Sequence, residues 1–148
     1  MSLLSESVTT VLQANRVIAQ PVVYGSLNNV SDVYTSHAVY SHAVNGGSIV
    51  APIVLPLSST IPQGAIVYGV LFDISEALVA GAMATLQFII NGQSFTSLVT
   101  DAPWNAGANP VQVDEAWKMT ANTSSVSLKF AVAGGTQGAM NITVLYVL

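Results

Sequence analysis

Apolar and polar residues alternate along most of this chain, which is the two-residue period of a half-buried β-strand. Ten short segments show the pattern or a continuous apolar run, at residues 8–12, 16–24, 33–44, 48–55, 65–74, 83–90, 93–100, 111–120, 125–133 and 139–147. Turn-forming residues separate them about every ten positions. No segment shows a sustained helical period, and residues 75–85 have room for one helical turn at most.

The most specific local signal is Asn91-Gly92, which lies between two of these segments. Asn-Gly between apolar runs is typical of a two-residue hairpin turn in which both residues have positive φ. The run at 65–74 is nearly continuously apolar, which predicts a strand buried on both faces.

Eight to ten short strands with no helices between them predict an all-β fold, an antiparallel sandwich or jelly roll. The length of 148 residues fits a single domain. We expect residues 21–148 to form this domain. Residues 1–20 carry too little apolar content for a core, so we expect an extended arm that contacts a neighbouring molecule.

Charged residues make up only 7% of the chain, against roughly 25% in an ordinary soluble domain. Hydrophobic residues make up 51%, and no charged residue lies between Asp32 and Asp73. Such a surface either carries neutral polar groups or is covered by other protein. We therefore predict a large permanent interface, and a monomer with a Ser/Thr surface remains the alternative.

The charge balance excludes several partners. The net charge is −4, with only Arg16, Lys118 and Lys129 positive. Binding of nucleic acid or an anionic membrane requires clustered cations, so we predict neither partner.

The chain has no cysteine, and its N-terminus lacks the basic region of a secretory signal. Proline and glycine interrupt each long apolar stretch, so we expect no transmembrane helix.

Candidate chemistry is sparse. His37 and His42 are five residues apart, which on one strand places them on opposite faces and argues against a shared metal. Asp114 and Glu115 are adjacent and also point to opposite faces. No Gly-x-Ser-x-Gly motif or glycine-rich phosphate loop is present. We therefore predict no enzymatic activity, no cofactor and no metal.

The aromatic residues offer a candidate recognition surface. Trp104 lies in a predicted loop, where it serves either as a binding anchor or as a plug that packs the loop against the core. The candidate partner contacts are Trp104, His37, His42 and Tyr40.

Residues 60–70, Thr-Ile-Pro-Gln-Gly-Ala-Ile-Val-Tyr-Gly-Val, precede an acid-ended strand and the Asn-Gly hairpin. This stretch resembles small virion proteins of tailed bacteriophages, namely capsid decoration (cement) proteins and β-rich head domains of fibres. The resemblance implies a jelly-roll subunit, commonly trimeric, that is made in the host cytoplasm. It also implies that the subunit binds the major capsid protein on the capsid surface of the virion.

Three hypotheses follow. The first is a decoration subunit that acts as a homotrimer and stabilises the capsid shell. The second is a receptor- or glycan-binding jelly roll of a fibre or spike, which would need a concave aromatic site around Trp104. The third is a glycan-processing enzyme, which would need two carboxylates facing each other across a cleft.

Overall fold

A computed structural model describes residues 32–148 of the chain. They form eight strands: β1 (Tyr34–Ser41), β2 (Ile53–Ile61), β3 (Ile66–Ala80), β4 (Thr85–Ile90), β5 (Gln93–Leu98), β6 (Gly107–Lys118), β7 (Thr123–Ala131) and β8 (Gly135–Val147). The helical structure among these residues consists of one turn, α1 (His42–Asn45), and a short 3-10 turn (Ala102–Trp104). The predicted arm at 1–20 and the two earliest predicted strands lie outside the described residues.

The strands form two antiparallel four-stranded sheets, a first sheet in the order β1-β8-β3-β6 and a second in the order β2-β7-β4-β5. The pairings β1 with β8, β2 with β7, β3 with β6 and β4 with β5 are nested inside one another. A long hairpin rolled in this way is a jelly roll. The predicted all-β sandwich is therefore confirmed, and its topology is the jelly roll.

The core lies between the two sheets and follows the period-two pattern. Along β8, every second residue from Met140 to Tyr146 is buried, and the same alternation runs through β4 and β7. The largest fully buried aromatic side chains are Tyr40, Phe72, Phe88, Trp104 and Phe130.

The Asn-Gly hairpin forms as predicted. Strands β4 and β5 pair from Thr85↔Leu98 to Ile90↔Gln93, which leaves two residues in the turn. Asn91 has φ 47° and Gly92 has φ 80°, and only glycine and a few short polar residues adopt such angles at low energy. A Cβ added at Gly92 would meet no atom within 4 Å, so its conformation and not crowding favours glycine.

The strands differ in extent from several of the predicted segments, and two of these differences bear on the fold. The segment predicted as a strand at 33–44 ends at Ser41, because its N–H donates to Asn45 Oδ1 (2.9 Å) and Gly46 N–H closes a helical turn on the carbonyl of His42. The run predicted as buried on both faces is longer, reaching Ala80, and its outward side chain Leu71 is only half-buried. No second layer of the described chain covers that outer face.

The connections between strands divide the sandwich into two ends. The loops at 42–52, 81–84, 99–106 and 132–134 cross between the sheets at one end, which we call the four-loop end. The loops at 62–65, 91–92 and 119–122 lie at the other, the three-loop end. At the four-loop end Gly135 N–H donates to Gly47 O (2.9 Å), and a Cβ on Gly81 would lie 2.6 Å from that of Ala133.

Candidate functional site

His37 lies on the outer face of the first sheet. Its Nδ1 is 3.0 Å from the hydroxyl of Thr143 on the neighbouring strand β8, and its side chain is exposed. Its backbone N–H donates to Ser58 Oγ (2.9 Å) on β2. The ring is therefore available to a partner, and a partner contact at His37 stays a prediction.

His42 begins the helical turn α1, so the two histidines do not share a strand. The expectation that they point to opposite faces of one strand is wrong for this reason. No group of three or more His, Cys, Asp and Glu side chains lies close enough to hold a metal ion within residues 32–148. A partner contact at the half-buried His42 stays a prediction.

Tyr40 is fully buried and fixes the chain at the four-loop end. Its hydroxyl donates to Gly46 O (2.7 Å), and its ring lies 6.3 Å from that of Phe130. Burial raises the pKa of Tyr40 to about 12, because the phenolate is less well solvated in the core than in water. In this conformation Tyr40 has no surface to offer a partner.

Trp104 is 1% exposed, which is the loop-packing alternative of the two weighed from the sequence. Its indole stacks on Phe95 (centroids 5.5 Å apart, planes at 8°) and lies 4.6 Å from the ring of Phe72. Its Nε1–H donates to Ser97 Oγ (2.8 Å). The indole thus closes the crossover between β5 and β6 from inside, and almost none of its surface is exposed.

The edge strands β1 and β2, one from each sheet, are joined by serine side chains. Buried Ser36 donates its hydroxyl to Ser59 O (2.6 Å) and accepts the N–H of Ser59 (3.2 Å). Ser58 accepts the N–H of His37, as described above. Since unpaired strand edges are sites of unwanted pairing, these bonds protect this side of the sandwich.

The opposite edges, β5 and β6, are separated by a groove of about 330 Å³. A bulge shapes it: Val67 pairs with Trp117 and Gly69 with Gln112, so β6 has additional residues between these two pairs. Bulges re-aim side chains and recur beside binding sites. The groove is lined by Gln93, Ser94, Phe95, Val111, Gln112, Val113, Asp114, Glu115 and Trp117.

The carboxylates of this groove do not form a hydrolytic pair. Asp114 and Glu115 are successive residues of one strand, and both are exposed. Glycoside hydrolysis places its two carboxylates on either side of the scissile bond, so these two lack that arrangement. Among residues 32–148, no helix has the length and apolar content needed to cross a membrane.

Several exposed apolar side chains were not identified from the sequence. Five of them occupy loops of the four-loop end: Val44, Ile49, Val50, Met83 and Val132, which we call the apolar end surface. Each stands within four residues of a glycine in a loop segment. All five lie inside segments predicted as strands (33–44, 48–55, 83–90 and 125–133), and the structure places them in loops beyond the ends of those strands.

No protein-family model and no curated protein matches the sequence. Solved structures are similar to this chain in fold. A chain of the cyanophage Pam1 capsid asymmetric unit aligns with 93% of this chain and 97% of its own length, at 20% identity and a TM-score of 0.57. A chain of the acidic stable capsid structure of Helicobacter pylori bacteriophage KHP30 aligns with 80% of this chain and 90% of its own, at 17% identity and a TM-score of 0.52. The resemblance to phage virion proteins is therefore confirmed at the level of the fold.

Proposed function

We propose that this chain is a structural, non-enzymatic subunit of a phage virion that binds and stabilises the capsid shell as a decoration protein. The observation that carries the proposal is the alignment over almost the whole of both chains with a chain of a capsid asymmetric unit. The aligned region covers 93% of this chain and 97% of the capsid chain, so the likeness extends over nearly the whole of both sequences.

The surface supports this role. Lys118 and Lys129 are the only Lys or Arg residues in the described part of the chain. On the outer face of the second sheet, one row across the four strands reads Val54, Ser127, Ile89 and Ser94. Neutral faces of this kind pack against other protein without the desolvation penalty that charged groups impose.

The proposed partners are further copies of this chain, as a homotrimer, and the major capsid protein. Symmetric self-association would match a subunit to a repetitive lattice and multiply weak contacts. Residues 1–20 are proposed to reach a neighbouring molecule. Deletion of residues 1–15 should then weaken shell binding, and normal binding by the truncated chain would exclude that role for the arm.

Co-sedimentation tests the proposed function. Shells of the phage that carries this chain, stripped of accessory subunits, are mixed with purified protein and pelleted, and light scattering gives the mass of the free protein. We expect saturable binding at a fixed ratio to the shell subunit and a trimer in solution. Protein that stays in the supernatant at every concentration would contradict shell binding.

A second candidate function has one specific observation in its favour. The β5–β6 groove combines half-buried Trp117 with Gln112, Asp114 and Glu115, and aromatic faces beside carboxylate and amide groups suit the apolar and hydroxyl faces of a sugar. This is the receptor- or glycan-binding alternative, located at Trp117 instead of Trp104. Titration of glucose, galactose, mannose and N-acetylglucosamine against the fluorescence of Trp117 tests it. A flat response in all four titrations excludes these sugars.

A further inference from the structure

The loops at the two ends of the sandwich differ in chemistry. At the three-loop end they carry polar groups that bond one another: the backbone N–H of Gln63 donates to Asn122 Oδ1 (2.9 Å), and Asn91 Nδ2–H donates to Thr120 Oγ1 (3.1 Å). The polar groups of these loops form hydrogen bonds with one another or with water. The loops of the four-loop end can be compared with them.

The loops of the four-loop end expose large apolar side chains instead. The exposed fractions on the apolar end surface are 82% for Val44, 44% for Ile49, 87% for Val50, 69% for Met83 and 69% for Val132. Single exposed apolar residues are normal, whereas a cluster of them marks an interaction site.

These loops adjoin one another, so the residues share one surface. The loop of Val50 meets the last crossover through the bond from Gly135 N–H to Gly47 O. That crossover, which holds Val132, meets the loop of Met83 where Gly81 approaches Ala133. A groove of about 310 Å³ continues the surface from Met83 toward β5.

Two of these residues are held in a strained backbone conformation. Val132 has φ 72° and Met83 has φ 61°, the left-handed region that branched and bulky residues disfavour. Glycine would adopt these angles without strain, yet both positions carry large apolar side chains that point largely into solvent. Strain of this kind is concentrated at functional sites. Contacts among residues 32–148 do not explain the choice of valine at 132, whereas contacts with a partner would.

We propose that the apolar end surface is the face that docks on the capsid shell, where it contacts an apolar, weakly charged region of the shell protein. This inference rests on the proposed function and assigns its binding face. Counting roughly 100 Å² for each fully exposed side chain of this size, the five residues offer about 350 Å² of apolar area. A stable pairwise interface takes about 800 Å² from each partner.

Because this apolar area is less than half of what a stable pairwise interface takes from each partner, it favours docking on a repetitive capsid surface over pairing with a second copy of this chain. A single copy would be held weakly through this face. Several copies joined in one oligomer bind a repetitive surface together, and their effective affinity rises by orders of magnitude without any new contact. The polar three-loop end would then face solvent.

Substitution at Val132 separates docking from folding. Val132→Gly removes the exposed side chain and relieves the backbone strain, so the thermal midpoint should not fall. Binding to stripped shells should weaken about tenfold or more. Val50→Ser should weaken binding similarly. Val33→Ser is the matched control, because Val33 is 58% exposed and directly precedes β1 at the three-loop end, and it should bind like the wild type.

Oxidation of methionine by dilute peroxide reports directly on the surface. Met83 is exposed, whereas Met119 and Met140 are each 1% exposed and serve as internal controls. We expect Met83 to be oxidised rapidly in the free protein and at least tenfold more slowly on the shell. Slow oxidation of Met83 in the free protein would mean that another segment of the chain or a second copy already covers this face, which would overturn the proposal.

The remaining outcomes are equally decisive. If the wild type binds shells and both Val132→Gly and Val50→Ser bind as tightly, the inference is wrong while the proposed function stands. If these variants instead change the native mass and leave shell binding intact, the face joins copies of this chain and the inference is again wrong. If the wild type does not bind, the proposed function and the inference fall together.

Discussion

Removal of the Trp104 side chain should be among the most damaging single changes in the described part of the chain. Trp104 is 1% exposed, stacks on Phe95 and donates to Ser97 Oγ. Replacing a buried tryptophan by alanine costs about 3–5 kcal/mol through lost burial and the cavity left behind. At roughly 3 °C per kcal/mol for a domain of this size, the thermal midpoint should fall by about 10 °C. Trp104→Phe keeps the stack and should lose less.

Urea unfolding of Trp104→Ala, monitored by circular dichroism, measures this loss. Trp117→Ala is the matched control, because Trp117 is only half-buried on the edge strand β6 and its loss should cost about 1–2 kcal/mol. In a Trp117→Phe background, the emission of Trp104 should be that of a buried indole and should shift to the red on unfolding. Equal midpoints for Trp104→Ala and Trp117→Ala would refute the conclusion that Trp104 is a core plug.

Three further changes test other parts of the structure. Because the pKa of Tyr40 is raised to about 12, the unfolded chain loses its phenol proton at a lower pH than the folded chain, and the free energy of unfolding should fall as the pH rises from 10 toward 12. In urea titrations, Tyr40→Phe should remove this part of the pH dependence of the free energy of unfolding. Gly92→Ala should lower the free energy of unfolding by about 1–2 kcal/mol, because residue 92 has a positive φ. Gly69→Ala is the control and should be near neutral, because the added Cβ would have ordinary contacts at 3.5 Å. Equal losses in the two variants would argue against the hairpin geometry. Ser36→Ala leaves the backbone N–H of Ser59 without its partner and should lower the free energy of unfolding by about 1–3 kcal/mol. Ser58→Ala, which removes an exposed bond, should lower it by under 1 kcal/mol.

The sequence predicts the architecture well because the relevant signals are local. Period-two alternation identifies strands in which one face is buried, as along β8, and Asn91-Gly92 specifies a turn that few other dipeptides adopt. The nested pairing that makes the sandwich a jelly roll depends on contacts between distant segments. No local pattern encodes it, although spacing and strand number restricted the choice.

The candidate site was harder to predict, because exposure is a property of the folded chain. The sequence shows that Trp104 lies in a loop, but the stack on Phe95 and the bond to Ser97 that bury it arise only after β5 and β6 come together. Tyr40 is buried for a similar reason. Conversely, Val50 and Val132 lie in segments predicted as strands, 48–55 and 125–133, whereas the structure places both in loops of the four-loop end.

The groove at Trp117 shows the same limit. Trp117 lies in the segment 111–120, predicted as a strand, where a tryptophan more often belongs to the core. The bulge that opens the edge of β6 has no marker in the sequence. Burial in a sheet follows the period-two rule only where the pairing register is regular.

The central claim, that this chain is a stoichiometric part of the capsid, is tested most directly by quantitative mass spectrometry of purified virions. We expect the chain to be present in a fixed, small-integer ratio to the major capsid protein and to remain with the particles through repeated density-gradient purification. Its absence from purified virions, or a trace amount that varies between preparations, would contradict the account.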